Sequence, residues 1–124
     1  MTAINSCAIF GGTFDPIHRG HLHLITSVLK TGKFDQLFVV PAGEPNLRIA
    51  PVASKSDRLR MLELALSDLP KEIFHQIRLS EIEILRNGPT YSVDTVKELQ
   101  RSFNAKWTLI IGSDVLNSLP QWHA

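Results

Sequence analysis

His18 and His21 stand three residues apart in the stretch GGTFDPIHRGH, which runs from Gly11 to His21 directly behind the apolar residues Cys7–Phe10. Residues at i and i+3 near the start of a helix share one face. The glycines ahead of them let the backbone approach a ligand closely, and the N–H groups of a helix start favour an anion. A positive helix end disfavours a protonated imidazole, so two histidines there point to an anion that offsets the cost. The competing reading is structural, with both histidines in a capping network. Zinc fits less well, because no third and fourth ligand follows at suitable spacing.

Such a site needs a strand before it and a helix after it, and the chain offers both. Ala8-Ile9-Phe10 reads as a buried strand ended by Gly11-Gly12. Leu22, Leu24, Ile25, Val28 and Leu29 follow at helical spacing, and Gly32 closes that helix. Gln36–Val40 (QLFVV) predicts a second buried strand stopped by Pro41. The loop with Pro41, Gly43, Pro45 and Pro51 is too proline-rich for periodic structure.

Ser54 or Ser56 is expected to cap a helix carrying Leu59, Leu62, Leu66 and Leu69, with Pro70 as its stop. Ile73–Ile84 contains a strand by this reading, and Asn87-Gly88-Pro89 a turn. Val93, Val96, Leu99 and Phe103 mark a third helix, and Trp107–Ile111 a last strand broken by Gly112. This alternation predicts an α/β fold, a parallel sheet with helices on both faces. Ligands of such sheets bind beyond the carboxyl ends of the strands, where the chain order reverses. The glycine-histidine stretch, the Pro41 loop and the GSD at 112–114 are all expected at that edge.

Composition narrows the class. The 124 residues suit a single domain, and 44% hydrophobic with 20% charged residues is ordinary for a soluble globular protein. Thirteen basic against twelve acidic side chains leave a net charge of +1, so no broad basic field argues for nucleic acid. The lone Cys7 cannot form an internal disulfide and reads as core, in keeping with a reducing cytosol. The N-terminus has neither a basic n-region nor a long apolar run, and no stretch approaches the ~18 apolar residues of a membrane span. A soluble, cytoplasmic protein is expected.

GGTFDPIHRGH strongly resembles the (H/T)xGH signature region of the nucleotidylyltransferase superfamily. His18 at the first motif position argues against the phosphopantetheine adenylyltransferases, which usually have threonine there. VVPAGEPNLR resembles the second-motif loop of bacterial nicotinate mononucleotide adenylyltransferases. RLRMLELAL, EIEILRNGPTYSVDTV and LIIGSDVLNSLPQW are similar to successive segments of those enzymes, in the same order.

The resemblance implies a Rossmann-like nucleotidylyltransferase fold. It also implies transfer of AMP from ATP to nicotinate mononucleotide in NAD biosynthesis, giving deamido-NAD and pyrophosphate. By the same resemblance, His18, His21 and Arg48 serve catalysis by contacting the ATP phosphates. Gly11, Gly12, Thr13 and Phe14 would lie against those phosphates, and Gly112 and Asp114 would hold the adenosine ribose. Thr90 and Tyr91 would bind the pyridine carboxylate, and Trp122 would stack on the ring. Mg2+ would arrive with ATP, and no metal ligands of the protein's own are implied. Asp15 and Asp94 are read as serving their turns. Leu47 departs from the histidine common just before Arg48.

After PQWHA the family continues to a third motif resembling I-S-[ST]-T-x-x-R, which nothing here matches. The expectation is a C-terminally truncated domain lacking the last strand. Trp107–Ile111 would then be an uncovered edge open to self-association. Two alternatives remain beside adenylyl transfer to nicotinate mononucleotide: a nucleotide-binding module without turnover, and an adenylyltransferase for another acceptor such as phosphopantetheine. The preference between nicotinate and nicotinamide mononucleotide is left open.

Overall fold

The apolar runs Cys7–Phe10 and Leu37–Val40 lie in strands in the computed structural model, which describes residues 6–14, 17–45, 53–85, 89–90 and 92–110. The elements in chain order are β1 (Ser6–Gly12), α1 (Arg19–Lys30), β2 (Gln36–Pro41), β3 (Glu44–Pro45) and α2 (Lys55–Ser67), followed by α3 (Lys71–Phe74), β4 (Ile77–Leu79), β5 (Pro89–Thr90), α4 (Ser92–Ser102) and β6 (Lys106–Ile110).

The main sheet has the order β4-β2-β1-β6, and every pair in it is parallel. In β1 and β2, successive side chains point to opposite faces. Ala8, Phe10, Leu37 and Val39 pack with Ile25 and Leu29 of α1 and Leu62 and Leu66 of α2. Cys7, Ile9, Phe38 and Val40 pack on the other face with Leu99 of α4. The sheet is therefore covered on both sides, which is why Leu37–Val40 reads as a continuous apolar run instead of an alternation.

Helix boundaries follow local chemistry. Ser54, not Ser56, caps α2, its hydroxyl oxygen accepting from the Asp57 N–H at 3.1 Å. Gly32 ends the chain's first helix with φ +72°, a left-handed conformation suited to glycine. Asp94 lies exposed in the first turn of α4, where a carboxylate suits the positive helix end. No helix among the described residues is long and apolar enough to cross a membrane.

Three boundaries differ from the sequence reading. Gly11 and Gly12 belong to β1 because their backbones continue the parallel ladder opposite Val40 and Pro41. The proline-rich loop contains β3, whose two residues pair in parallel with β5 in a second small sheet. Pro70 separates two helices, since the short α3 begins immediately after it. Proline is tolerated in β3 and at a helix start because neither place requires its missing N–H.

Candidate active site

The chain moves from β1 outward through β2 to β4, then crosses back to place β6 on the other side of β1. In open parallel sheets ligands bind beyond the carboxyl ends of the strands at such a reversal, which here falls at β1. Gly11, Gly12, Thr13 and Phe14 lead out of the strand there, and α1 starts shortly after.

The two histidines form the cap of α1. His18 is the N-cap residue, with extended backbone angles φ −139° and ψ 177°. Its Nδ1 accepts from the Gly20 N–H at 3.1 Å and the His21 N–H at 3.4 Å. In return, His21 Nδ1 accepts from the His18 N–H at 3.1 Å. This is a capping box in which imidazoles fill both positions. The rings stack with centroids 3.6 Å apart and planes 19° from parallel.

The cap has a chemical consequence. A ring nitrogen that accepts a hydrogen bond carries no proton, so each neutral imidazole holds its proton on Nε2. Both rings thus become Nε2–H donors. The structural and anion-binding readings of the pair are not exclusive, because the cap selects the tautomer that can donate to an anion.

Two neighbours shape the pair. A Cβ on Gly20 would stand 2.9 Å from His18 Cε1 and 3.0 Å from Nδ1, so the ring can lie there only over a glycine. Phe14 is buried with φ 50°, an unusual backbone conformation for a bulky residue. Its ring packs edge-on against Phe10 at 5.5 Å and His21 at 4.9 Å. That packing holds the strained turn in place.

Arg58, which the sequence reading did not single out, reaches the turn that follows β1. It is 1% exposed, and its Nη1 donates to the carbonyls of Thr13 (3.0 Å) and Ala42 (2.6 Å). Nη2 donates to Gly43 O (2.7 Å), and Nε to Ala53 O (3.3 Å). One signal was present: Arg58, Leu62 and Leu66 recur every four residues, on the buried face of α2.

Of the residues implied by resemblance, the structure gathers Gly11, Gly12, Thr13, Phe14, His18 and His21 around one strand-to-helix turn. The backbone of Thr90 lies in β5 opposite Pro45, linking the loop after β2 to the segment before α4. Arg48, Tyr91, Gly112, Asp114 and Trp122 lie outside the described residues. Among the described residues, no group of three or more His, Cys, Asp or Glu side chains is placed to hold a metal ion.

The family model for cytidylyltransferase-like proteins matches residues 9–124. The chain belongs to the cytidylyltransferase-like family. Within the curated relatives, a Synechococcus sp. (strain JA-2-3B'a(2-13)) protein named "Probable nicotinate-nucleotide adenylyltransferase" is 43% identical over 118 residues, covering 94% of this chain and 56% of that protein. A Dehalococcoides mccartyi (strain CBDB1) protein of the same name is 42% identical over 118 residues, covering 93% of this chain and 55% of its own length. The chain thus spans just over half the length of these relatives.

Two solved structures of Plasmodium falciparum nicotinic acid mononucleotide adenylyltransferase share the cytidylyltransferase-like fold. The one complexed with NaAD matches with a TM-score of 0.82 at 21% identity, covering 96% of this chain and 57% of that one. The one complexed with APC matches with a TM-score of 0.73 at 23% identity, covering 96% and 56%. At such identities the likeness concerns the fold, and it agrees with the Rossmann-like parallel sheet expected from the sequence.

Proposed function

We propose that this cytidylyltransferase-like chain belongs to an enzyme that transfers AMP from ATP to nicotinate mononucleotide, releasing pyrophosphate and giving deamido-NAD. The observation that carries the reading is the paired histidine cap at the start of α1, in which each Nδ1 accepts a backbone N–H and so leaves the ring proton on Nε2. The names of the relatives support the choice of acceptor.

In the proposed step a phosphate oxygen of nicotinate mononucleotide attacks the α-phosphorus of ATP. A new P–O bond joins the two nucleotides as the bond to pyrophosphate breaks, so the displacement needs no covalent enzyme intermediate. The protein's work is to align the reactants and stabilise charge on the phosphate oxygens. His18 and His21 donate from Nε2, and the backbone from Gly11 to Phe14 lies against the phosphates. Arg48 adds a cation, while Gly112 and Asp114 hold the ribose. Thr90, Tyr91 and Trp122 receive the pyridine half.

Mg2+ is expected to enter with ATP and neutralise phosphate charge. It would be held mainly by the phosphates of ATP. We place the protein in the cytoplasm and expect the outer edge of β6 to promote self-association.

Incubation with ATP, Mg2+ and nicotinate mononucleotide, with pyrophosphate and deamido-NAD both measured, tests the reading. Both products should appear in equal amounts. Binding of ATP without either product would instead favour a nucleotide-binding module. Turnover only with phosphopantetheine would move the activity to another acceptor.

A further inference from the structure

We propose that Arg58 is a positioning residue for this reaction, holding the phosphate side of the site in register with the acceptor side. The inference rests on the adenylyl-transfer reading above. The strand ladder carries the two sides together only as far as the Ala42 N–H, which donates to Gly12 O at 2.8 Å. Beyond that point the Arg58 guanidinium takes over. It joins Thr13, in the turn before α1, to Ala42 and Gly43, in the loop after β2.

The planar fork sets the distance between these acceptors, which a flexible ammonium cannot do. Gly43 lies close against the backbone of Glu83, leaving no room for a Cβ. Glu83 in turn accepts from Thr95 Oγ1 at 2.6 Å, tying this backbone to α4. Pairing of β3 with β5 then carries the register to Thr90. A continuous set of contacts therefore runs from the phosphate turn to the segment proposed for the pyridine. Burying a guanidinium is a poor route to stability, because a buried charge often contributes no more than a well-packed apolar side chain. Control of loop spacing accounts for its use here.

Arg58→Lys keeps the charge without the fork, and Arg58→Met keeps much of the volume without donors. A displacement of about 1 Å at the reacting atoms can cost ~10²-fold, so Arg58→Lys should lower kcat by about 10–10²-fold with each KM changed by less than about threefold. Lysine cannot serve all four carbonyls, so the thermal midpoint of Arg58→Lys should fall while the protein stays folded at the assay temperature, and Arg58→Met should show the larger loss of kcat. Wild-type turnover with Arg58→Lys retaining full kcat would overturn the proposal, as would a kcat loss that merely follows the fraction unfolded. If Arg58→Met fails to fold, Arg58→Lys decides alone. If the wild type transfers nothing, the function reading fails, and Arg58 is judged by amide hydrogen exchange. Faster exchange in Arg58→Lys at residues 12–14 and 42–43 together would uphold the register; unchanged exchange would overturn it.

Discussion

The ring of His18 lies directly over Gly20, so that a β-carbon on Gly20 would stand 2.9 Å from Cε1. Glycine is a poor helix former, yet it occupies the second position of α1. Its cost of about 1 kcal/mol relative to alanine is accepted where the imidazole must cross the backbone. Helix propensity and site geometry make opposite demands on this residue, and geometry prevails.

Gly20→Ala should therefore separate stability from function. Better helix propensity offsets the lost His18 cap, which is worth about 0.5–2 kcal/mol, so unfolding by urea should shift by no more than about 1 kcal/mol either way. Because the ring must swing out, adenylyl transfer should fall by about tenfold or more. Retained transfer would show that the ring over Gly20 has no part in the reaction.

Substitution of His21 divides its two roles. Asparagine can return an acceptor to the position of Nδ1 but cannot replace Nε2–H, whereas alanine supplies neither. Loss of the donor should cost about 10²–10³ in rate in both variants. Loss of the cap should cost about 0.5–2 kcal/mol of stability in His21→Ala alone. Equal stabilities by urea unfolding would mean that the acceptor role of His21 contributes nothing to the fold.

At Phe14 the usual preference for alanine over glycine should reverse. Removing the buried ring costs about 3–5 kcal/mol in either variant. Glycine, however, adopts φ 50° without the left-handed penalty of roughly 1–2 kcal/mol that alanine retains. Phe14→Gly should accordingly unfold at higher urea than Phe14→Ala. The opposite order would imply that the turn relaxes once the ring is gone.

Cys7 supplies a pH dependence of definite sign. Burial pushes its thiol pKa up, Asp35 adds to the rise, and Arg78 opposes it. The unfolded thiol therefore ionises first as pH increases. Its contribution to stability is complete below the ordinary thiol range of about 8.5 and is lost as pH rises from there toward the folded value. Unfolding free energies between neutral and alkaline pH should fall more steeply for the wild type than for Cys7→Ala. Native alkylation by iodoacetamide should be slow at neutral pH, since the thiol is both buried and protonated.

What the sequence alone determined is local. The apolar run Leu37–Val40 announces a strand buried on both faces, and the spacing of Leu22, Ile25 and Leu29 announces a helix with one covered side. The apolar strand before His18 and the helical spacing after His21 placed the pair at a helix start, but only the structure shows His18 as the N-cap, with extended backbone. Tertiary structure decided the rest. The position of β6 beside β1 depends on a crossover that no short window contains. Arg58 reaches Thr13 across 45 residues and Gly43 across 15, so its four-residue spacing with Leu62 and Leu66 can announce burial but not the carbonyls it meets. Even the tautomer proposed for the histidines follows from which backbone N–H groups their Nδ1 atoms meet, a matter of atomic distance and direction that residue order does not contain.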